Sequence, residues 1–263
     1  MSVKKVVMLF SRAASLARRV AWLSRLTASR QSALGFWLNA SRNPDHQGSF
    51  SLNGTEVVFR GTDVLALKEV LVDREYAPVL PRLAGNPAPR VLDVGSHIGL
   101  FPLWLLQEHP QARVVSVEAD PQTFDILARN VRAARAAGAH WDALNAAAWD
   151  EDGRELRFSG VGPSMSHRIN GSGEIVVQGV TLTSLMNRLC ADTVDLLKVD
   201  IEGSEEAFLC ANPDVLRRVH SIVVELHPNL CDTQRVLSVL REAYATVAEV
   251  TQRASSKPLL LCY

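Results

Sequence analysis

After Arg90, short runs rich in valine and leucine alternate with helical patterns, and this rhythm constrains the fold more than anything else in the chain. The β-rich runs fall at 90–94, 112–118, 141–146, 194–199 and 220–226. Helical spacing occupies 99–109, 121–137, 204–210 and 230–243. Strands this apolar, alternating with helices, predict a doubly wound, mostly parallel sheet covered by helices on both faces. The rhythm breaks between 150 and 180, where "RELRFSG" and "GEIVVQGV" read as an excursion hairpin. A chain of 263 residues is long enough for one such domain with appendages.

The appendage comes first. Apolar residues recur at helical spacing from Val6 to Leu26, with arginines between them. Residues 1–44 carry Lys4, Lys5, Arg12, Arg18, Arg19, Arg25, Arg30 and Arg42 and no acid, although the whole chain is neutral. A basic amphipathic helix can lie on an anionic membrane. Alanines dilute this apolar face, so a helix packed on its own domain is the favoured reading, with weak peripheral contact at an inner membrane face as the other. "FSLNGTEVVF" surrounds Asn53-Gly54, a strong hairpin signal. The organisation expected is therefore a basic helical extension (1–49), a hairpin and helix leading into the core (50–87), and the main domain (88–263).

The balance of the chain is acidic, which speaks against a nucleic-acid partner. Cys190, Cys210, Cys231 and Cys262 have no metal-type spacing. No run is long enough to span a membrane, and a cytoplasmic protein is expected. Oligomeric state is not legible.

"RVLDVGSHIGLFPLWL" (90–105) places Asp93, Gly95, Ser96 and Gly99 where a strand meets a helix. The first strand-to-helix turn is the usual nucleotide site of such sheets. A dinucleotide fold wants G-x-G-x-x-G, whereas this turn reads G-x-x-x-G with His97 between. A carboxylate two residues before the glycine suits a cationic ligand better than a pyrophosphate. S-Adenosylmethionine (SAM) carries an ammonium, a sulfonium and no phosphate. Glu118, nineteen residues past Gly99, stands where an acid accepts ribose hydroxyls in nucleotide folds. His97 is either a contact to the cofactor carboxylate or an exposed loop residue.

"VDLLKVDIEGSE" (194–205) ends a buried strand in Lys198, Asp200 and Glu202 before Gly203 and Ser204, a candidate helix cap. "SIVVELHP" (221–228) repeats the theme with Glu225 and His227. So many ionisable groups at neighbouring strand ends are costly unless paired or in use.

In order, "VLDVGSHIGLF", "VVSVEADPQTFDILARNV", "LNAAAWDEDG", "VDLLKVDIEGSEEAFL" and "SIVVELHP" resemble the FkbM family of SAM-dependent methyltransferases, over roughly residues 88–250. The resemblance implies a class I methyltransferase (Rossmann-like) fold, with a seven-stranded sheet whose last strand is antiparallel. It implies methylation of an oxygen, typically a hydroxyl of a natural product or sugar, so the partner expected is a small-molecule or glycan acceptor. By the match, Asp93, Gly95, Ser96 and Gly99 line the methionine end and Glu118 holds the ribose. Asp120 or the Ala147–Ala148–Trp149 turn lies near the adenine, and Asp200 borders both cofactor and acceptor. The chain departs from the family at "VTLTSLM" (180–186), where Thr183 and Ser184 replace two acids.

A hydroxyl acceptor must lose a proton, so a base is expected within hydrogen-bond reach. His227 or Asp200 is the candidate, with Glu225 orienting it and Lys198 beside them. A divalent ion on Asp200, Glu225 and His227 is chemically conceivable, but no compact ligand spacing announces it, and no metal is assigned. Two rival readings are an NAD-dependent oxidoreductase, disfavoured by the missing middle glycine, and a SAM-binding protein without catalysis, whose only support is the Thr183/Ser184 replacement.

Overall fold

The structure, a computed structural model, describes residues 20–27, 29–159, 168–169, 173–251 and 257–263. Residues 20–26 are helical and lead to α1 (Arg30–Ala40). Leu23, Ala33, Phe36 and Ala40 are buried, so this part of the basic segment packs on its own domain. The rest of the amphipathic pattern, residues 1–19, lies outside the described residues.

The hairpin forms as expected. β1 (Gln47–Leu52) and β2 (Thr55–Arg60) pair antiparallel, with Leu52 opposite Thr55. Asn53 and Gly54 turn the chain with φ of 50° and 86°, the left-handed pair that a two-residue hairpin loop requires. β1 begins at Gln47, so the segment boundary drawn at 50 falls inside it. Phe59 packs tilted against Phe36 and edge-on against Phe50, at centroid distances of 4.6 and 5.7 Å. These rings share one apolar cluster with Val91, Leu105, Leu127 and Trp141 of the main domain.

The main sheet contains β3 (Arg90–Val94), β4 (Arg113–Glu118), β5 (His140–Asn145), β10 (Leu196–Val199), β11 (Ile222–Glu225), β12 (Val247–Glu249) and β13 (Leu259–Cys262). Their order is β12-β13-β11-β10-β3-β4-β5. β13 runs antiparallel to both of its neighbours, and the pairs from β11 through to β5 are parallel. This is the doubly wound class I methyltransferase sheet. Helices α2 (Leu100–Glu108) and α3 (Pro121–Ala136) follow β3 and β4. Register puts Val91, Val114, Leu196 and Val223 on the face that packs with the N-terminal segment. Leu92, Val115, Leu197 and Val224 pack on the other face.

The excursion is a small sheet of β6 (Ala147–Ala148), β7 (Glu155–Ser159), β8 (Arg168–Ile169) and β9 (Ile175–Val180), in which β7 and β9 pair antiparallel. In this stretch β6 and the helix α4 (Leu182–Arg188) that follows β9 were not read from the sequence. Helix α5 (Glu205–Leu209) follows β10, and α6 (Thr233–Ala243) follows β11. Among the described residues no helix is long and apolar enough to cross a membrane.

Candidate functional site

Strand order reverses between β3 and β10, and in open α/β sheets such a switch opens a crevice at the carboxyl ends of the strands. The glycine turn after β3, Glu118 at the end of β4, and the ends of β10 and β11 lie along that edge. Gly95 and Gly99 have φ of 77° and 87°, conformations that a side chain resists. Their missing Cβ atoms serve the protein itself rather than the close approach of a ligand. A methyl on Gly95 would overlap the carbonyl of Asp200, and one on Gly99 would come within 2.5 Å of the Trp141 ring.

Asp93 is fully buried. Register sets it between Lys198 on β10 and Ser116 on β4. The Lys198 ammonium donates to the Gly95 carbonyl at 2.6 Å and lies 3.3 Å from Asp93 Oδ1 and 4.0 Å from Asp200 Oδ2. Burial opposes its charge, but the Asp93 and Asp200 carboxylates outweigh burial and raise its pKa. The Ser116 hydroxyl donates to Asp93 Oδ2, and the Trp141 indole N–H donates to Ser116. Ser96 is buried and donates to the Asp93 carbonyl. The turn is therefore tied down from below by an ion pair that no spacing in the sequence announced.

Glu118 ends β4 beside this turn. Its two oxygens accept the backbone N–H groups of His97 (2.8 Å) and Asp120 (2.9 Å). Burial pushes its carboxyl up, against the pull of the Asp120 and His97 contacts. Each oxygen keeps a lone pair for a further donor, so the residue fits a ribose diol. Asp120 is buried and turned into the fold, capping α3 through the Gln122 N–H and accepting from the Thr123 hydroxyl. Ala147 and Ala148 are buried next to Trp149, whose indole N–H is buried with no hydrogen-bond partner among the described residues. That open donor, Glu118 and the tied turn together fit SAM.

His97 is not an exposed loop residue. Its Nε2 lies 3.1 Å from Asp63 Oδ1, in the turn after β2, and its side chain is 18% exposed. Asp63 also holds Arg60, which donates to Thr123. Burial alone would raise the Asp63 carboxyl; His97 and Arg60 instead hold it well below the usual carboxylate range. Asn130 of α3 completes the join, accepting from Val58 N–H and donating to the carbonyls of Val58 and Ile98.

The second cluster is at the ends of β10 and β11. Glu202 and Gly203 take φ of 48° and 103°, reversing the chain after the strand. Ser204 makes no side-chain cap to α5, contrary to expectation; the Gly203 N–H goes to Glu205 Oε1 instead. His227 is 2% exposed, with Nδ1 2.6 Å from Glu205 Oε1. Its Nε2 faces Glu202, Glu225 and Asp200 at 3.4, 3.6 and 3.8 Å. Burial opposes charge on the ring, but the Glu202, Glu205 and Asp200 carboxylates prevail and push its pKa up to about 10. Burial and the neighbouring Asp200 push Glu225 up to about 8. Lys257 lies 2.8 Å from Glu202 and 3.6 Å from Glu225.

From the N-terminal segment, Glu75 enters the same electrostatic field. Burial, with Glu69 and Asp200, pushes it up to about 7. Sequence reasoning missed Glu75, Lys257 and the His227 partner Glu205. Glu205 lay in a quoted motif; nothing local marked the other two. Thr183 and Ser184 fall in the first turn of α4. Asp152 accepts from Thr181 N–H, the Thr181 hydroxyl and the Ser184 hydroxyl, so an acid from the excursion occupies this turn.

The methyltransferase FkbM domain matches residues 93–245, more than half of the chain. The 31-O-demethyl-FK506 methyltransferase FkbM of Streptomyces tacrolimicus is 28% identical over 234 residues, covering 75% of this chain and 88% of that protein. The hexuronic acid methyltransferase AglP of Haloferax volcanii is 26% identical, covering 57% and 61%. Two further relatives match over shorter stretches, which span 23% and 4% of their lengths. Among solved structures, magnesium protoporphyrin IX methyltransferase of Synechocystis PCC 6803 with bound SAM superposes with a TM-score of 0.46, at 10% identity over 86% of this chain and 89% of that one. The sheet order, the tied glycine turn and the matched domain agree: the chain belongs to the FkbM family of SAM-dependent methyltransferases.

Proposed function

We propose that the protein methylates a hydroxyl oxygen of a sugar, glycan or natural product. The observation that carries this reading is the pair of strand-end carboxylates, Asp200 and Glu225, 29% and 23% exposed beside the tied turn, while His227 behind them is closed. The names of two relatives, one acting on an O-demethyl compound and one on a hexuronic acid, support an oxygen acceptor. Bound SAM supplies a sulfonium methyl, which an oxygen lone pair displaces with S-adenosylhomocysteine leaving. Glu118 would hold the ribose, and the Asp93–Lys198 pair keeps the turn in shape. The proton of the acceptor hydroxyl passes to the Asp200/Glu225 pair. His227, held by Glu205, is the positioning residue behind it. A cytoplasmic location belongs to this reading, supported by four free cysteines.

The non-catalytic alternative loses its sequence support, because the Ser184 position is a helix turn bound to Asp152. The experiment is incubation of the protein with methyl-labelled SAM and a panel of hydroxylated sugars and natural products. Label on an acceptor oxygen is expected. Label on nitrogen or carbon alone, or label lost only as methanol, would overturn the reading.

A further inference from the structure

His227 is aimed at three acids and hydrogen-bonds none of them. Nδ1 lies 2.6 Å from the buried Glu205, a contact that fixes the ring with Nε2 turned toward the cleft acids. Nε2 is buried and has no hydrogen-bond partner among the described residues. Around it stand Glu202 Oε2 at 3.4 Å, Glu225 Oε1 at 3.6 Å and Asp200 Oδ1 at 3.8 Å. Three carboxylates around one buried ring nitrogen call for positive charge at that point, and either a proton on Nε2 or a metal ion held by its lone pair supplies it.

The separations suit a particular cation. Two ligand atoms each about 2.1 Å from a hard divalent ion lie about 3.0 Å apart at right angles, and about 4.2 Å apart when opposite. The distances from Nε2 to the acids fall inside that window. The ligand atoms of Asp200, Glu202 and His227 all lie within 4.8 Å of one another. The Glu205–His227 contact is also the carboxylate–histidine arrangement that fixes the orientation of a metal-ligating imidazole.

We propose that Asp200, Glu202 and His227 bind one hard divalent cation of the Mn²⁺ type. Two carboxylate oxygens favour Mg²⁺, Mn²⁺ or Ca²⁺, and the imidazole nitrogen shifts the preference toward Mn²⁺. Asp200 and Glu202, 29% and 16% exposed, give entry from the cleft. Lys257 sits 2.8 Å from Glu202 Oε1 and is the internal cation that the ion displaces there. The role of the ion rests on the reading that the acceptor binds at these strand ends. A hydroxyl oxygen bound to the ion has a lowered pKa, so its proton passes to Glu225 as the new O–CH₃ bond forms and the C–S bond breaks.

The test is direct binding of Mn²⁺ alone. The full chain is stripped with chelator, desalted and titrated with Mn²⁺ while free Mn²⁺ is followed by electron paramagnetic resonance. One ion per chain is expected, with a dissociation constant of roughly 10⁻⁵ M. Glu202→Gln and His227→Gln should each weaken it at least tenfold, and Asp214→Asn, an exposed acid paired with Arg217, should leave it unchanged. If His227→Gln does not fold, as judged by its thermal melt, the partly exposed Glu202→Gln decides. Absence of binding at millimolar Mn²⁺, or equal binding in Glu202→Gln, overturns the proposal. SAM binding is titrated separately on the stripped protein, so loss of the methyltransferase reading and loss of the metal site are told apart.

Discussion

His97 in the glycine turn and Asp63 in the turn after the N-terminal hairpin meet at 3.1 Å, Nε2 to Oδ1. Through Arg60, Thr123 and Asp120 the contact extends to the cap of α3. The hairpin is thus bonded to the cofactor turn and to the helix after Glu118, and is more than a lid laid on the domain.

Asp63→Ala should therefore destabilise the whole chain. It leaves the buried Arg60 guanidinium without its anion, a loss of about 3–5 kcal/mol for a broken buried pair. Chemical denaturation of both proteins measures it; a change below about 1 kcal/mol would show that water replaces the carboxylate. Acid has a related effect. His97 and Arg60 hold the folded-state carboxyl below its ordinary value, despite the opposing effect of burial. Its stabilisation is complete above the ordinary carboxylate range and is lost as pH falls through the lowered value. The wild type should lose stability on acidification more steeply than Asp63→Asn.

Glycine substitutions separate conformational cost from collision. Gly54 has φ of 86° and open space around its Cβ position, so Gly54→Ala should cost about 1–2 kcal/mol, the left-handed penalty alone. At Gly95 the same penalty is joined by overlap with the Asp200 carbonyl. Gly95→Ala should be insoluble, or fold with β3 and β10 pushed apart and no measurable SAM binding. Thermal melts and SAM titration of the two variants make the comparison. Equal behaviour would mean that the approach of β10 to the turn is adjustable.

The strand–helix rhythm made the sheet legible because β3, β10 and β11 are apolar on both faces and so stand out as runs. α4 escaped because Thr181, Thr183 and Ser184 read as loop residues, and its start depends on Asp152, twenty-nine residues earlier. β12 and β13 carried no such rhythm and followed only from the family resemblance. At the site, residue types at strand ends were legible, whereas their pairings were not. Lys198 reaches Asp200 at 4.0 Å but lies nearer Asp93, because register places those two side by side. His97 could not be assigned because its partner lies in the turn after the hairpin, thirty-four residues away.

The same register makes a prediction about Lys198. Lys198→Met leaves Asp93 buried without its cation and removes the donor to the Gly95 carbonyl, so a loss of about 3–5 kcal/mol is expected. Adding Asp93→Asn removes the stranded charge and should recover about 0.5–3 kcal/mol, the range for directly coupled neighbours. Denaturation of the single and double variants gives the coupling. Strictly additive losses would mean that the pair does not interact.

Cofactor binding and chemistry should separate between Glu118 and Glu225, which end strands on opposite sides of the switch. Glu118 faces the glycine turn and has an acceptor position left on each oxygen. Glu118→Ala should weaken SAM binding by about 1.5–3 kcal/mol, the value of a hydrogen bond to a charged group. Calorimetric titration reads it directly. Glu225 ends β11 3.6 Å from His227 Nε2, and among the described residues neither of its oxygens accepts a backbone N–H. Glu225→Gln keeps the shape and removes the ability to take a proton. It should bind SAM within a few-fold of the wild type while losing about 10²–10⁴ in turnover on a hydroxyl acceptor, the usual contribution of a general base. If Glu225→Gln turns over normally and Asp200→Asn does not, the proton goes to Asp200. If both turn over normally, alignment of acceptor and methyl carries the reaction without a base in this cluster.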